Sequence, residues 1–157
     1  MYGLVIDTMK VIFLDIDGVL NRLGTPQEGR TTTQWNGFIG MEPELVQRFN
    51  SLVKKTGVQV VLSSTWRLSP TWREDMKGNG LDFEFLDRTE SLYDANKSRR
   101  LDRGFEINKW LSEHPDVDKY VIIDDDSDML PDQVFVQTSY AHGLTKEVME
   151  RVEKCLA

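Results

Sequence analysis

Residues 11–21 read VIFLDIDGVLN, and this stretch decides the fold. The apolar run that ends at Leu14 has the length of a single strand and is typical of a strand that helices cover on both faces. Two carboxylates, Asp15 and Asp17, follow it directly, and Gly18 comes next. The pattern therefore predicts a buried parallel strand with acidic side chains at its carboxyl end.

Length and composition indicate one globular domain. The chain has 157 residues, of which 39% are hydrophobic and 29% charged. This length is enough for one substantial hydrophobic core and too short for two. We expect a single domain over residues 1–157. Residues 1–8 are interpreted as a dispensable extension, because Met9 and Lys10 lead directly into the first strand.

Charge and cysteine content narrow the functional classes. A net charge of −7 argues against a protein that coats nucleic acid nonspecifically. No apolar run approaches the roughly 20 residues of a membrane span, so a membrane is not an expected partner. The lone cysteine, Cys155, and the lack of a secretory leader predict a cytoplasmic location. No obligate protein partner is evident.

Strand and helix patterns alternate along the chain. Strands are predicted at residues 10–14, 58–62, 81–86, 120–123 and 134–137, and helices at 42–55, 70–77, 104–113 and 145–156. Segment 81–86, LDFEFL, is expected near a sheet edge. This alternation predicts a three-layer α/β fold, in which a Rossmann-like parallel sheet carries helices on both faces.

Polar side chains follow three of the predicted strands. These strand ends read DIDG at 15–18, SSTWR at 63–67 and DDDSD at 124–128. Ligands bind beyond the carboxyl ends of open parallel sheets. If the three strands are neighbours, at least four carboxylates converge there and repel one another unless a cation neutralises them. Ligands that are all oxygen point to Mg²⁺.

These segments resemble motifs of the haloacid dehalogenase-like (HAD) superfamily of phosphotransferases. IFLDIDGVLN resembles its first motif, VVLSSTWR its second and VIIDDDSDM its fourth. The order RGFEINKWL, YVIIDDDSDM, HGLT is similar, more narrowly, to small HAD domains grouped with nucleic-acid repair phosphatases. The resemblance extends from about residue 9 to the C-terminus and implies a HAD-like fold.

The resemblance implies a mechanism. Asp15 is expected to be the nucleophile that forms an aspartyl-phosphate. Asp17 is expected to protonate the leaving group and then deprotonate the attacking water. Family members that preserve the aspartyl-phosphate generally lack an acid at this second position, so Asp17 favours a phosphatase. The implied Mg²⁺ ligands are Asp15, Asp124, Asp125 and the backbone carbonyl of Asp17.

A hydroxyl and a cation are expected to bind the phosphoryl group. Ser64 is the favoured hydroxyl, because in related small domains it stands two residues before a Trp, and Ser63 is the alternative. Arg103 is the favoured cation, because it immediately precedes the helix that leads into the Asp124 strand. Lys97 is the second choice.

The remaining substrate contacts are predicted from their position beside these motifs. Gly18 is expected to let the backbone approach the phosphate closely. Thr65 and Arg67 are expected to line the substrate site. Trp66 is interpreted either as part of this lining or as a core residue.

The spacing of the motifs leaves no room for a large cap domain. Residues 21–41 allow only a small flap, and residues 65–103 hold a helix and a strand that the core itself needs. An open cleft favours a bulky substrate, with the basic segment KSRRLDR (97–103) and the flap sequence TTTQW (31–35) as candidate contacts.

The predicted function is Mg²⁺-dependent phosphomonoester hydrolysis through an aspartyl-phosphate. The expected partner is a phosphorylated substrate, with a polynucleotide end or a nucleotide as the favoured form. A phosphoprotein phosphatase and a noncatalytic phosphate-binding or partner-binding module are the alternatives.

Overall fold

The computed structural model describes residues 8–25 and 40–157. The predictions made for residues 1–7 and for the TTTQW segment at 31–35 lie outside these ranges. The strands are β1 (Met9–Leu14), β2 (Gln59–Leu62), β3 (Asp87–Arg88), β4 (Tyr93–Asp94), β5 (Arg99–Arg100), β6 (Val117–Asp124) and β7 (Phe135–Gln137). The helices are α1 (Pro43–Thr56), α2 (Trp72–Gly78), α3 (Arg103–Ser112) and α4 (Lys146–Leu156), with a 3-10 helix at Thr65–Leu68.

Five strands form one parallel sheet in the order β3-β2-β1-β6-β7. Strand β1 lies at its centre, with Leu14 level with Leu62 of β2 and Ile123 of β6. The chain builds the sheet outward from β1 on one side and then crosses to the other. The crevice between β1 and β6 is therefore the expected ligand site of a doubly wound sheet. The three polar strand ends are neighbours there, as predicted.

Side chains alternate between the two faces of β1, and each face has its own core. Ile12 and Leu14 pack into the larger core, which α1, α2 and α4 cover. Val11 and Phe13 point the other way, where α3 contributes Ile107 and Trp110. The predicted three-layer Rossmann-like fold is thus confirmed.

Local sequence signals explain where the helices of the larger layer begin and end. Pro43 occupies the start of α1, where a missing N–H costs nothing. Gly57 ends this helix in the left-handed conformation, with φ +67°, and its N–H donates to Val53 O. The Thr145 hydroxyl accepts a hydrogen bond from the Val148 N–H at the start of α4.

One predicted strand was misplaced. Segment 81–86 is not a strand; the edge strand of the sheet is β3, the two residues that follow it. Leu81 and Phe85 of the segment are buried against the α1 side, and its backbone meets β2 only at its end, where the Leu86 N–H donates to Val60 O. The apolar alternation reflected core packing, and the sequence pattern did not distinguish this from strand pairing.

Neither the 3-10 helix nor the hairpin of β4 and β5 was predicted, and no large cap domain occurs in the described ranges. Between the second motif and Arg103 the chain forms only the 3-10 helix, α2, β3 and this hairpin. Within residues 8–25 and 40–157, no helix is long and apolar enough to cross a membrane.

Candidate active site

The loop after β1 holds two acidic side chains in different environments. Asp15 is buried, and its N–H continues the ladder by donating to Ile123 O at 3.0 Å. Asp17 lies in the following turn, where Asn21 Nδ2 donates to Asp17 Oδ1 at 2.8 Å. Asn21 Oδ1 in turn accepts from the Gly18 N–H at 3.0 Å. One amide side chain therefore closes the turn and orients the Asp17 carboxylate.

Trp66 holds the same carboxylate from the 3-10 helix that follows β2. Its indole Nε1–H lies 3.2 Å from both oxygens of Asp17, and its ring is fully buried. The two interpretations of Trp66 are therefore compatible, because the ring belongs to the core while its single donor faces the site. A rigid donor on the 3-10 helix limits where Asp17 can point.

Three carboxylates converge at the ends of β1 and β6. Asp15, Asp124 and Asp125 each offer one oxygen, and these oxygens all lie within 4.8 Å of one another. Burial and the Asp124 carboxylate raise the pKa of Asp15 well above its ordinary value. Burial also raises the pKa of Asp124 to about 6. Burial and neighbouring negative charge both disfavour ionised carboxylates here, and a divalent cation with oxygen ligands would offset that cost, so the residues fit Mg²⁺.

Asp17 does not join this cluster through its side chain. The sequence assigned the metal only its backbone carbonyl, and the Asp17 carboxylate instead faces Trp66 and Asn21. The two acids of the DxD motif thus lie in separate environments, Asp15 within the carboxylate cluster and Asp17 between Trp66 and Asn21.

Gly18 lies directly against one of the clustered carboxylates. It has φ +82°, and a Cβ built on it falls 2.3 Å from Asp125 Oδ2. The Thr138 hydroxyl also fixes this turn by donating to Gly18 O at 2.7 Å. Glycine is required here because any side chain would displace Asp125, a reason that adds to the predicted close approach of the phosphate.

Among the residues that the structure describes, Arg103 supplies the cation that pairs with Asp15. Its Nη1 lies 3.6 Å from Asp15 Oδ1 and donates to Ser63 O. Asp128 anchors the start of α3, because its Oδ2 accepts from the Arg103 N–H at 2.9 Å and its carbonyl accepts from the Gly104 N–H at 3.1 Å. Lys97, the second choice, is exposed in the turn between β4 and β5. The geometry favours Arg103.

The two candidate hydroxyls have different surroundings. Ser64 Oγ caps the 3-10 helix by accepting from the Trp66 N–H at 3.3 Å. Ser63 Oγ is buried and has no hydrogen-bond partner in the described part of the chain. The Ser63 N–H donates to Leu14 O, so Ser63 continues β2 in the same register in which Asp15 continues β1. Ser63 is two residues beyond Val61, and Asp15 is two residues beyond Phe13. Because Val61 and Phe13 pack on the α3 face, both side chains point towards that face. The geometry therefore favours Ser63 over the predicted Ser64.

The Arg67 side chain points into the protein and not towards the substrate site that it was expected to line. Its guanidinium is buried and donates to Thr89 O at 2.9 Å, to Ser64 O at 2.7 Å and to the carboxylate of Glu106 at 3.0 Å. Burial lowers the pKa of Arg67 to about 10, which leaves it charged at neutral pH. Its donors are used inside the protein. Thr65 is half-buried at the start of the 3-10 helix, and its predicted substrate contact stays a prediction.

Glu106 is the site residue that the sequence reasoning missed. Its carboxylate accepts from Arg67 and, at 2.8 Å, from the Leu92 N–H, and it lies 3.9 Å from Arg103 Nε. The sequence did contain a signal, because Glu106 stands four residues before Trp110, on the face that α3 turns inward. An acid on a buried helix face needs a cationic partner.

Comparison with known proteins agrees with this geometry. The family model described as the HAD domain in Swiss Army Knife RNA repair proteins matches residues 11–149. No curated protein matches the chain.

Replacing Asp124 with Asn tests the repulsion in the cluster. The raised pKa of Asp124 means that its ionised form is destabilised by about 3 kcal/mol at neutral pH. We expect Asp124→Asn to raise the melting temperature of the metal-free protein by several degrees and to abolish the further increase that Mg²⁺ gives the wild type. The exposed Asp132→Asn is the control. If Mg²⁺ raised the melting temperature of Asp124→Asn as much as that of the wild type, Asp124 would not be a ligand of the metal site.

Glu106→Ala tests the buried ion pair. It leaves the Arg67 charge unpaired in the interior, so we expect the free energy of unfolding to fall by about 3–5 kcal/mol, as measured by urea denaturation. Glu113→Ala, at the C-cap of the same helix, is the control, because the pair that Glu113 forms with Lys109 is exposed and is expected to contribute much less. Equal losses in the two variants would show that Glu106 has no special structural role.

Proposed function

Because the chain belongs to the family of HAD domains in Swiss Army Knife RNA repair proteins, we propose that it is a Mg²⁺-dependent phosphomonoesterase that acts through an aspartyl-phosphate on a polynucleotide end or a nucleotide. One observation carries the proposal. Asp15 lies within reach of two further carboxylates and 3.6 Å from Arg103, while Asp17 is held apart by Trp66 and Asn21. This arrangement supports one carboxylate that attacks phosphorus and another that moves protons.

The reaction proceeds in two displacements. A carboxylate oxygen of Asp15 attacks phosphorus, the bond to the ester oxygen breaks, and Asp17 gives its proton to that oxygen. Asp17 then takes a proton from water, whose oxygen attacks the aspartyl-phosphate, and inorganic phosphate leaves with Asp15 restored. Covalent catalysis divides one difficult step into two, and Asp17 returns to its starting state.

The remaining site residues lower the charge barrier. Asp15, Asp124, Asp125 and the Asp17 carbonyl would hold Mg²⁺, which neutralises charge on the phosphoryl oxygens when bound. Arg103 places a guanidinium beside the nucleophile, where it can pair with a phosphoryl oxygen. The Ser63 hydroxyl has its proton available for the same group.

The small size of the described segments between the motifs favours a bulky substrate. The described segments contain no large cap domain that would enclose a small metabolite. A polynucleotide end is favoured over a phosphoprotein because of the family to which the chain belongs. The single cysteine supports a reducing compartment, and we infer a cytoplasmic location.

Asp15→Asn and Asp17→Asn separate the two displacements. With an aryl phosphate and Mg²⁺, we expect Asp15→Asn to lower kcat by at least about 10³-fold. Asp17→Asn is expected to lower it by about 10²–10⁴-fold. Because the aryl oxide leaves without needing a proton, the Asp17 variant should release about one equivalent in a burst and then turn over slowly. Rapid-quench measurement of the product detects this burst.

The exposed Asp126→Asn is the control for both variants, because it removes a carboxylate from the same loop as the proposed metal ligands. Wild-type activity in Asp15→Asn would overturn the proposed nucleophile. A panel of 3′- and 5′-phosphorylated oligonucleotides, mononucleotides and phosphopeptides then identifies the substrate. Phosphate binding without turnover of any member would favour the noncatalytic alternative.

Replacing Ser63 and Ser64 individually decides between the two hydroxyls. We expect Ser63→Ala to lower kcat/KM for the aryl phosphate by about 10²-fold, because one donor to the phosphoryl oxygens is lost. Ser64→Ala should chiefly remove a helix cap and about 1 kcal/mol of stability. Steady-state kinetics beside thermal denaturation separates these effects, and the reverse pattern would restore Ser64 as the donor.

A further inference from the structure

A β-hairpin stands beside the active site and is separate from the main sheet. Its strands β4 and β5 pair only with each other, with Tyr93 opposite Arg100 and Asp94 opposite Arg99. Asp94 Oδ1 shapes the turn by accepting from the N–H groups of residues 96 and 97 at 3.0 and 3.3 Å. The hairpin thus has a defined shape of its own.

The hairpin concentrates positive charge on a chain whose net charge is −7. Lys97, Arg99 and Arg100 are all exposed, and none of them forms an ion pair with another described residue. These cations are therefore available to an anionic partner.

An aromatic ring lies among these cations. Tyr93 is 62% exposed, and because it is the cross-strand neighbour of Arg100, the two side chains share one face of the hairpin. Exposed cations bind the phosphates of a single-stranded nucleic acid, and an exposed aromatic ring stacks on its bases. A phosphopeptide offers no base for such a ring.

The base of the hairpin is fastened to the catalytic centre. The Leu101 N–H donates to Leu92 O at 2.9 Å, which extends the ladder towards the site. The Leu92 N–H then donates to Glu106, whose carboxylate lies 3.9 Å from Arg103 Nε. Arg103 itself is three residues beyond Arg100, so their Cα atoms are at most about 11 Å apart.

We propose that this hairpin, residues 93–100, is the surface on which a single-stranded polynucleotide lies when its terminal phosphate is at Asp15. Tyr93 stacks on a base close to the end of the strand, and Arg100, on the same face, pairs with a phosphate that follows. Arg99 lies on the opposite face of the hairpin and adds to the positive charge that attracts the polynucleotide. The inference rests on the proposed phosphatase function and adds where the rest of the substrate binds.

The first test removes charge and keeps side-chain length. The variant Arg99→Gln/Arg100→Gln is compared with Arg151→Gln/Lys154→Gln, which removes two exposed charges from α4 on the opposite face of the sheet. Each is assayed on an aryl phosphate and on a terminally phosphorylated single-stranded DNA decamer. We expect the hairpin variant to lose at least tenfold more kcat/KM on the decamer than on the aryl phosphate. The control pair should show no such difference.

The salt dependence gives an independent measurement. Each phosphate contact in a single strand contributes about 0.7 to the slope of log affinity against log salt. Loss of the one direct contact, at Arg100, should therefore reduce this slope by about 0.7, as measured by fluorescence anisotropy with the labelled decamer. An unchanged slope, an equal loss in the α4 control or an equally large loss on a phosphopeptide would overturn the proposal.

The second test concerns the ring. Tyr93→Ser should weaken decamer binding about tenfold, because one stacking contact is lost. Tyr93→Phe retains a stacking ring and should restore binding to within about twofold of the wild type. Equal losses in the Ser and Phe variants would show that no base stacks there.

The two proposals fail in different ways. If the wild type hydrolyses the aryl phosphate and the hairpin variants bind the decamer normally, the proposed binding surface is wrong and the proposed phosphatase activity is supported. Anisotropy is also measured in the Asp15→Asn background, where turnover does not interfere. If no phosphate ester is hydrolysed while the hairpin variants lose decamer binding, the proposed phosphatase activity is wrong and the proposed binding surface is supported.

Discussion

The rest of the site depends on the mutual repulsion of Asp15, Asp124 and Asp125. Parallel strands bring their carboxyl ends to one edge, and here that edge places three acids within 4.8 Å of one another. Burial raises the pKa of Asp15 and of Asp124, and the Asp124 carboxylate raises the pKa of Asp15 further. Within the described residues, Arg103 is the cation that approaches Asp15, and a divalent ion would complete the compensation. The fold tolerates the cluster because opposite charge is held beside it.

Holding that charge in place requires a second set of contacts behind the site. Arg103 is fixed at its backbone by Asp128 and lies near Glu106, which also pairs with the buried Arg67. Arg67 in turn ties the carbonyl of Ser64 to that of Thr89. A buried ion pair contributes little net stability by itself. Here its effect is to join the second motif, the hairpin and α3 into one rigid support.

Much of the fold could be predicted because the signals were local. An apolar strand followed by DxDG, with two similar strand ends, determined the order of the layers and the acids of the site. The edge strand was misplaced because β3 has only two residues and LDFEFL alternates for packing reasons. Alternation along a chain reports which side chains are buried, and it does not report which backbone groups pair.

The site was less predictable where side-chain direction decides the role. Arg67 follows the second motif closely enough to line the substrate, but the 3-10 helix turns it towards Glu106, and sequence spacing does not reveal that turn. Ser63 and Ser64 differ by one residue, which in a strand means opposite faces. A resemblance to a motif locates such a pair without deciding between its members.

The loop of residues 124–128 has a consequence for cooperativity. It supplies two carboxylates to the proposed cation site, and three residues later its Asp128 anchors the backbone of Arg103. Any ligand that orders this loop would therefore also restrict Arg103, the cation proposed to bind the phosphate. By linkage, phosphate bound at Arg103 would then strengthen binding of the cation to the same degree. The proposed metal and substrate would in this sense be reciprocal effectors, coupled through five residues of backbone.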